Sequence, residues 1–563
     1  MAIERSHQMF PTLSPMQRQI AMRFAGGQPK RYEPNEIVFG LGDQGAPAFV
    51  VTSGSIDVFR RTGLGNEELI TSHPEGGISG EIAQLAGRPT LAEGRAGPQG
   101  CEAVSLDAVH LRALIIGSAE IGETLMRAFI LRRTALIREG GAGLIILGLG
   151  TDPRVVRLEE FLSRNGYPYS VLCPGADPNA QLLVDRLAIA MEEMPVVVCP
   201  NGTVLRRPSE ADVGRCLGIT PTLDPEMVHD VIVVGAGPAG LATAVYAASE
   251  GLSVLVLDAR AFGGQAGASA RIENYFGFPT GISGIALTAR AFTQAQKFGA
   301  EIAVPLQVER LECIDRKDHQ RQLPRLILTD GQVVQARSVV IASGVRYRQL
   351  DISNLASFEG FGVSYWASAI EARLCEGEDV ALVGGGNSAG QAVVFLAPKV
   401  KHLHLIIRGE SLEASMSKYL IERISALPNV TLHRRTEVIA LDGEHEVSLS
   451  HATFRNRDTG ATFIMPLRHL FLFIGADANT GWLKDCPLEL DDKGYVKTGE
   501  QARMADRTGS ARAPKALETS MHFVFAIGDV RSGSTKRVAA AVGEGAAVVA
   551  QIHEALSLGR RSD

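Results

Sequence analysis

The stretch Asp230-Val-Ile-Val-Val-Gly-Ala-Gly-Pro-Ala-Gly240 decides how this chain folds. A β-branched run leads into a glycine-rich turn, and the small residues after the turn predict a helix that packs closely on a strand. Such glycines let the backbone approach a pyrophosphate, which then lies at the N-terminus of the helix. A second stretch, Asp379-Val-Ala-Leu-Val-Gly-Gly-Gly-Asn-Ser-Ala389, has the same form. Two such turns predict two bound dinucleotides, and so a flavin reduced by a nicotinamide.

Length and composition favour a multidomain protein. The chain has 563 residues, of which 45% are hydrophobic and 21% charged, an ordinary composition at a length too great for one core. A formal net charge of −6 argues against a general nucleic-acid binder. No apolar run is long enough to span a bilayer, and the first residues lack an apolar signal core. We therefore expect a cytoplasmic protein with neither nucleic acid nor membrane as a partner.

The pattern of elements predicts a multidomain α/β chain. Residues 10–138 contain short alternating strands and end in a helix near 118–138, which predicts a β-roll. Residues 140–220 start a βαβ pattern of their own. Two Rossmann-like dinucleotide-binding units follow within 229–563, where a late strand at 522–527 suggests that one domain interrupts the other. Within residues 140–220, the predicted strands are 143–147, 169–172 and 195–198, and the predicted helix is 154–165.

The residue after the next strand differs between the two glycine turns. After the first turn, the strand 253–257 ends in Asp258, 23 residues beyond Gly235. A carboxylate there can accept hydrogen bonds from ribose hydroxyls, as in an FAD site. After the second turn, the strand 403–407 is followed by Arg408. A cation suits a 2′-phosphate, so the second site is predicted to bind NADPH, the alternative for Arg408 being a solvated strand end.

Further motifs follow the first turn in a fixed order. They are Gly263-Gly-Gln-Ala266, Asn274, Ala342-Ser-Gly344, Ile474-Gly-Ala-Asp-Ala-Asn-Thr480, Ile527-Gly-Asp529 and Lys536-Arg-Val538. With the two turns, they make residues 229–563 resemble the low-molecular-weight thioredoxin reductase family of flavoproteins. That resemblance implies an FAD domain, residues 229–348 and 467–563, split around an NAD(P)H domain at 349–466, and a homodimer.

The resemblance also implies the site residues, position by position. Those for FAD are Gly235, Gly237, Pro238, Ala239, Gly240, Asp258, Gly264, Gln265, Ala266, Asn274, Ala342, Gly344, Gly528, Asp529, Arg537 and Val538. Those for NADPH are Gly384, Gly386, Asn387, Ser388, Ala389 and Arg408. No metal ligands are expected.

The chain departs from that family at the redox motif. Trp366 and Ala369 stand where the family carries its Cys-x-x-Cys, and neither can form a disulfide. Cys375 is the nearest thiol, either a substitute nucleophile or, as we favour, a buried core residue. Trp366 either fills core volume or covers the flavin face. The seven cysteines are scattered and predict no disulfide framework.

The β-roll unit resembles a cyclic-nucleotide-binding domain. Tyr32–Asp43 and Phe49–Asp57 match early strands and turns of that domain, and Gly80-Glu-Ile-Ala83 resembles its phosphate cassette. The resemblance implies Gly80, Glu81 and Arg88 as candidate cyclic-nucleotide ligands. Arg88 is displaced, however, and Thr90 aligns where the cation for the cyclic phosphate belongs. The alternative is a β-roll retained for packing or dimerisation.

Residues 140–220 resemble a glutaredoxin or thioredoxin fold. Met194-Pro-Val-Val-Val matches the cis-proline and strand of that fold, whereas Gly150–Val156, where the redox motif belongs, holds no cysteine. We interpret the unit as redox-silent. Cys173 and Cys199 end different strands, so a disulfide between them is the alternative.

The predicted function is an NADPH-dependent FAD oxidoreductase whose flavin passes electrons to an unidentified small molecule or redox protein without a dithiol. Two alternatives stay open. One is a redox or cyclic-nucleotide sensor with a flavin core of low turnover. The other is a thioredoxin-disulfide reductase that uses non-standard cysteines.

Overall fold

The β-roll unit comes first in the computed structural model, which describes residues 6–43, 45–61, 67–80, 82–85, 90, 92–139, 144–200, 202–269, 271–312, 323–444, 448–502 and 513–560. Its antiparallel sheet has the order β1-β5-β3-β4, with β2 paired to β5. The predicted closing helix is confirmed as α5, which buries Phe129 completely. The elements are α1 (Ser6–Met9), α2 (Pro15–Arg23), β1 (Lys30–Tyr32), β2 (Ile37–Phe39), β3 (Ala48–Arg61), β4 (Glu67–Pro74), α3 (Ile82–Leu85), β5 (Glu93–Leu106), α4 (Ala108–Gly117) and α5 (Ala119–Glu139).

The α/β unit has the sheet order β7-β6-β8-β9, in which β6 and β7 are parallel and the other pairs antiparallel. The strands and the helix predicted for it are confirmed, and the Met194–Pro195 peptide bond is cis. Helix α6 buries Val155, Leu158 and Leu162 on one face. The elements are β6 (Ile145–Leu147), α6 (Pro153–Arg164), β7 (Ser170–Leu172), α7 (Pro178–Leu187), β8 (Val196–Val198), β9 (Val204–Arg206) and α8 (Glu210–Cys216).

A disulfide in this unit corrects the cysteine predictions. Cys199 is bonded to Cys216, with Cα atoms 6.6 Å apart, and Cys173 is free. The register explains why Cys173 is excluded. Leu147 lies opposite Leu172 and Val196, whereas Ile145 lies opposite Ser170 and Val198. Cys173 and Cys199 therefore leave the sheet at opposite ends, roughly 13 Å apart along the strands and on opposite sides of β6. Cys486 is also disulfide-bonded, and Cys313 lies outside the described residues.

The first-turn unit is built on a largely parallel sheet with the order β12-β11-β10-β15-β14-β13. Strand β10 is buried and leads through the glycine turn into α9, as predicted. The elements before the chain leaves this unit are β10 (Val228–Val234), α9 (Pro238–Ser249), β11 (Val254–Leu257), α10 (Gly264–Gly267), α11 (Gly284–Lys297), β12 (Glu301–Ala303), β13 (Val308–Glu312), β14 (Arg325–Leu328), β15 (Val333–Ile341) and β16 (Val345–Tyr347).

The second-turn unit interrupts the first. Its parallel sheet has the order β17-β24-β18-β19-β20, and β21 to β23 form a separate antiparallel sheet. The elements are β17 (Val363–Ser364), α12 (Ala369–Leu374), β18 (Asp379–Val383), α13 (Asn387–Leu396), β19 (His402–Ile406), α14 (Lys418–Ser425), β20 (Val430–His433), β21 (Thr436–Glu444), β22 (Ser448–Asn456), β23 (Thr462–Pro466) and β24 (His469–Leu472).

The predicted boundary at 466/467 is wrong by one strand. Strand β24 pairs in parallel with β18, and its apolar residues are buried in the second-turn sheet. The chain then crosses back through β25 (Ala476–Ala478), which pairs with β16. Strand β26 (Val524–Ala526) rejoins the first sheet beside β15, and α15 (Val538–Arg560) follows. The prediction that one domain interrupts the other is therefore confirmed.

Candidate functional site

One continuous cavity of about 2640 Å³ lies where the first-turn, second-turn and α/β units meet. The first glycine turn, the residues after β15 and helices α6 and α12 all contribute to its walls. The predicted FAD residues that line it are Gly235, Gly237, Pro238, Ala239, Asp258, Gly264, Gln265, Ala266, Ala342, Gly344, Asp529, Arg537 and Val538.

The first turn needs glycine at the positions where backbones touch. Gly235 has φ +113°, and a Cβ there would lie 2.2 Å from the carbonyl oxygen of Ala342. A Cβ on Gly240 would lie 1.9 Å from the carbonyl oxygen of Gly235. Gly237 is the N-cap residue before α9, and a Cβ there would meet only the Cα of Gly264 within 4 Å, at 3.9 Å, among the residues that the structure describes. The backbone at Gly237 is therefore open to the cavity, as a pyrophosphate at a helix N-terminus requires.

Asp258 holds this turn in shape. Its carboxylate accepts hydrogen bonds from the backbone N–H groups of Ala236, Arg260 and Ala261, at 2.9, 3.0 and 3.2 Å. Because each carboxylate oxygen has further lone pairs and Asp258 lines the cavity, the predicted ribose contact stays compatible with this second role.

Three predicted FAD residues do not line the cavity. Gly240 packs α9 against the turn. Gly528 is buried, and its N–H donates to Glu544 at 2.7 Å. Asn274 is exposed, in a loop whose neighbouring Glu273 is paired with Arg423. The prediction of a flavin contact from Asn274 therefore finds no support in this arrangement.

The second turn has the same backbone form as the first, but most of its predicted ligand residues do not line the large cavity. Gly384 has φ +147°, and a Cβ there would lie 2.4 Å from the carbonyl oxygen of Phe473. Gly386 precedes α13, and the side chain of Asn387 accepts from the N–H of Ser417 at 2.7 Å. Of the predicted NADPH residues, Ser388 lines the large cavity, whereas Gly384, Gly386, Asn387, Ala389 and Arg408 do not.

Arg408 lies in a separate cleft of about 380 Å³. It lies just beyond β19, the strand beside β18, separated from it by Ile407, and is exposed. Arg435 and Arg457 share this cleft with it, and Arg435 is paired with Glu410 at 3.0 Å and with Asp458. Sequence reasoning missed Arg435 and Arg457, because the pairing of β19 with β20 brings that distant segment beside Arg408.

Trp366, one of the two residues predicted to replace the family's Cys-x-x-Cys, is held in place by a hydrogen bond. Trp366 lines the cavity, and its Nε1–H donates to Glu371 at 3.0 Å. Ala369 is the first residue of α12. Cys375 is fully buried in an apolar cluster, its Sγ–H points at the carbonyl of Ala372, and burial raises its thiol pKa to about 11. These facts support the packing interpretation of Cys375.

Helix α6 of the α/β unit supplies cavity residues that the sequence did not reveal. Arg164 donates to the carbonyl of Gly264 at 2.8 Å. Glu160 also faces the cavity, and burial together with the neighbouring Glu371 raises its pKa to about 8. Glu159 accepts from Arg373 of α12 at 3.1 Å. One helix therefore contacts both dinucleotide units.

The cassette of the β-roll unit is described only in part, since Glu81 and Arg88 lie outside the described residues. Gly80 adopts φ +108°. The hydroxyl of Thr90 is buried, accepts from the N–H of Asp43 at 3.1 Å and donates to the carbonyl of Gly40. The hydroxyl of Thr90 thus makes its hydrogen bonds within the protein rather than with a ligand.

The fold and the cavity define a two-dinucleotide oxidoreductase. Residues 229–545 match the family model of pyridine nucleotide-disulphide oxidoreductases, and residues 29–117 match that of the cyclic nucleotide-binding domain. Since the first match spans more than half of the chain, the chain belongs to the pyridine nucleotide-disulphide oxidoreductase family.

Individual relatives agree with this assignment. The chain is 32% identical over 327 residues to a thioredoxin reductase of Mycolicibacterium smegmatis, covering 57% of this chain and 94% of the relative. It is 31% identical over 325 residues to NADPH-dependent thioredoxin reductase 3 of Arabidopsis thaliana, covering 57% of each, so it spans little more than half of that relative's length. The solved T. acidophilum thioredoxin reductase is 26% identical and aligns with a TM-score of 0.51 over 58% of this chain and 99% of its own.

The cofactors of the thioredoxin reductase homologues are FAD and NADPH. The residues of this chain fit both, because the glycine backbone at Gly237 is open at a helix N-terminus and Arg408 is exposed beside the second turn. Among the helices that the structure describes, none combines the length and the apolar character needed to cross a membrane.

Proposed function

We propose that this protein is an NADPH-dependent FAD oxidoreductase whose flavin passes electrons directly to an acceptor, without a dithiol. The observation that carries the proposal is the indole of Trp366, fixed on Glu371 in the wall of the cavity. The nearest thiol, Cys375, supports the same conclusion, because it is buried and its high pKa keeps it from forming a thiolate. FAD, when bound, supplies hydride chemistry.

The chain's residues would then divide the binding between them. The first turn and the segment around Gly264 would hold FAD, and Asp258 would keep that turn in shape. The second turn and Arg408 would hold NADPH, with Arg435 as an additional cation near the 2′-phosphate. We also propose a homodimer, as the family resemblance implies.

The two N-terminal units would be accessory. The sheet order β7-β6-β8-β9 supports a thioredoxin-like fold for residues 140–220. The Cys199–Cys216 disulfide does not line the cavity, which supports a structural rather than a redox part. The hydroxyl of Thr90 already donates to the carbonyl of Gly40, which favours a β-roll that packs without a nucleotide. The match to the cyclic nucleotide-binding domain favours the alternative, a sensor.

An anaerobic titration of the yellow protein with NADPH tests the proposal. We expect the flavin absorbance to bleach completely at about one equivalent per flavin, because the flavin would be the only two-electron centre that NADPH reduces, the disulfides staying oxidised. A requirement for about two equivalents would contradict it and favour a disulfide reductase.

A matched variant makes that outcome specific. If two equivalents are needed and the Cys199→Ser/Cys216→Ser variant needs only one, the second centre is this disulfide. Flavin reduction without turnover on any acceptor would instead favour the sensor.

A further inference from the structure

Two carboxyl groups from different units meet at the wall of the large cavity. Glu160 comes from α6 of the α/β unit, and Glu371 comes from α12 of the second-turn unit. Both side chains line the cavity beside Trp366, and the ion pair between Glu159 and Arg373, at 3.1 Å, joins the same two helices. Because two neighbouring ionised carboxylates repel each other in a buried setting, protonation of one member of the pair is favoured.

The surrounding donors indicate which carboxyl carries that proton. Glu371 accepts the Nε1–H of Trp366 at 3.0 Å and the N–H of Ser368 at 2.7 Å. Both carboxyl oxygens of Glu371 thus already accept N–H bonds, which leaves Glu160 as the partner that carries the proton. Burial and Glu371 raise the pKa of Glu160 to about 8, against the opposing charges of Arg164 and Arg260. The other titratable groups around the pair are Arg157, Glu210, Tyr347, Arg373 and Cys375.

We propose that Glu160 donates the proton that accompanies reduction of the electron acceptor, so that the Glu160–Glu371 pair works where the dithiol is missing. This rests on the function proposed above. The reaction balances as NADPH + H⁺ + A giving NADP⁺ + AH₂, where A is a small two-electron acceptor of the quinone class. FAD, when bound, would supply the hydride of NADPH to A. The O–H bond of Glu160 breaks as A gains its proton, and the carboxylate regains a proton from solvent in the cavity.

The chain offers an optical reporter for the first test. It contains two tryptophans, so Trp482→Phe leaves Trp366 as the only tryptophan, hydrogen-bonded to Glu371 of the acid pair. In the FAD-loaded protein without NADPH or acceptor, we expect the Trp366 emission to change with a midpoint near pH 8. The transition disappears in Glu160→Gln. In Glu371→Gln it moves to lower pH, because the repelling charge is gone.

Glu210→Gln is the matched control for the fluorescence test. Glu210 faces the same cavity, and burial raises its pKa as well. The charges that influence its pKa are those of Arg260, Arg157 and Arg164, and neither carboxyl of the acid pair is among them. This variant keeps the transition. If the Trp366 emission transition persists in Glu160→Gln, or is absent from the parent protein, the proposal that Glu160 carries the proton of the pair is overturned.

Reoxidation kinetics test the proton transfer itself. We expect Glu160→Gln to slow reoxidation of the reduced protein by a small quinone by about a hundredfold below pH 8. Reoxidation by ferricyanide, which takes electrons without a proton, is spared. In the parent, the quinone step slows as pH rises through about 8, because the donor loses its proton there. An unchanged quinone step, or an equal loss with ferricyanide, overturns the proposal.

The two proposals fail in different ways. If NADPH does not reduce the flavin at all, the proposed function falls while the Trp366 transition still reports the acid pair.

Discussion

At the residue scale, Cys375 is the thiol nearest in sequence to Trp366 and Ala369, and a substitution there distinguishes a redox role from a packing role. We expect Cys375→Ser to be reduced by NADPH at the parent rate, because the thiol is buried away from the cavity. The variant is expected to lose about 1–2 kcal/mol of stability, since a hydroxyl enters an apolar cluster. Stopped-flow absorbance and thermal unfolding measure the two effects. Lost turnover with an acceptor, at unchanged flavin reduction, would make Cys375 a redox residue.

Single residues were predictable from the sequence where the chemistry is local. Gly235 and Gly384 sit in turns whose backbone excludes a side chain, and a glycine pattern records that directly. Glu160 and Arg164 were not predictable, because nothing in their own helix marks them. They become part of the site only because α6 packs beside Gly264 and Glu371 in the folded chain.

At the element scale, the Cys199–Cys216 disulfide joins the end of β8 to the end of α8 across 17 residues. By the loop-closure argument, a link of that length stabilises the unit by roughly 3 kcal/mol. We expect Cys216→Ser to increase hydrogen exchange of backbone amides in β8 and α8 and to leave the β-roll unchanged. Cys101→Ser, a free and buried cysteine of the β-roll, is the control and should act only there. Unchanged exchange in β8 would show that the disulfide adds no stability.

The helices and strands themselves were predicted better than the pairing between strands. The strands of the α/β unit follow from apolar runs between turn residues, but the strand directions that carry Cys173 and Cys199 to opposite ends of the sheet are tertiary. The same reason explains the misplaced boundary. Strand β24 belongs with β18, about 90 residues earlier, and only the pairing reveals this.

At the scale of the whole molecule, an ion pair joins the two dinucleotide units. Arg423 of α14 contacts both carboxylate oxygens of Glu273 at 3.0 Å, while Ser388 is the one predicted second-turn residue in the wall of the large cavity. We therefore expect that a nicotinamide held at the second turn reaches the cavity only after its unit shifts. We expect Arg423→Ala to speed flavin reduction by NADPH up to about fivefold, the factor that an exposed pair of 0.2–1 kcal/mol allows. Anaerobic stopped-flow traces at low salt measure it, with Lys418→Ala, whose partner Glu422 lies on the same helix, as the control. In a Glu273→Ala background the gain from Arg423→Ala should vanish, and a gain that persists there would mean that Arg423 acts through some other contact.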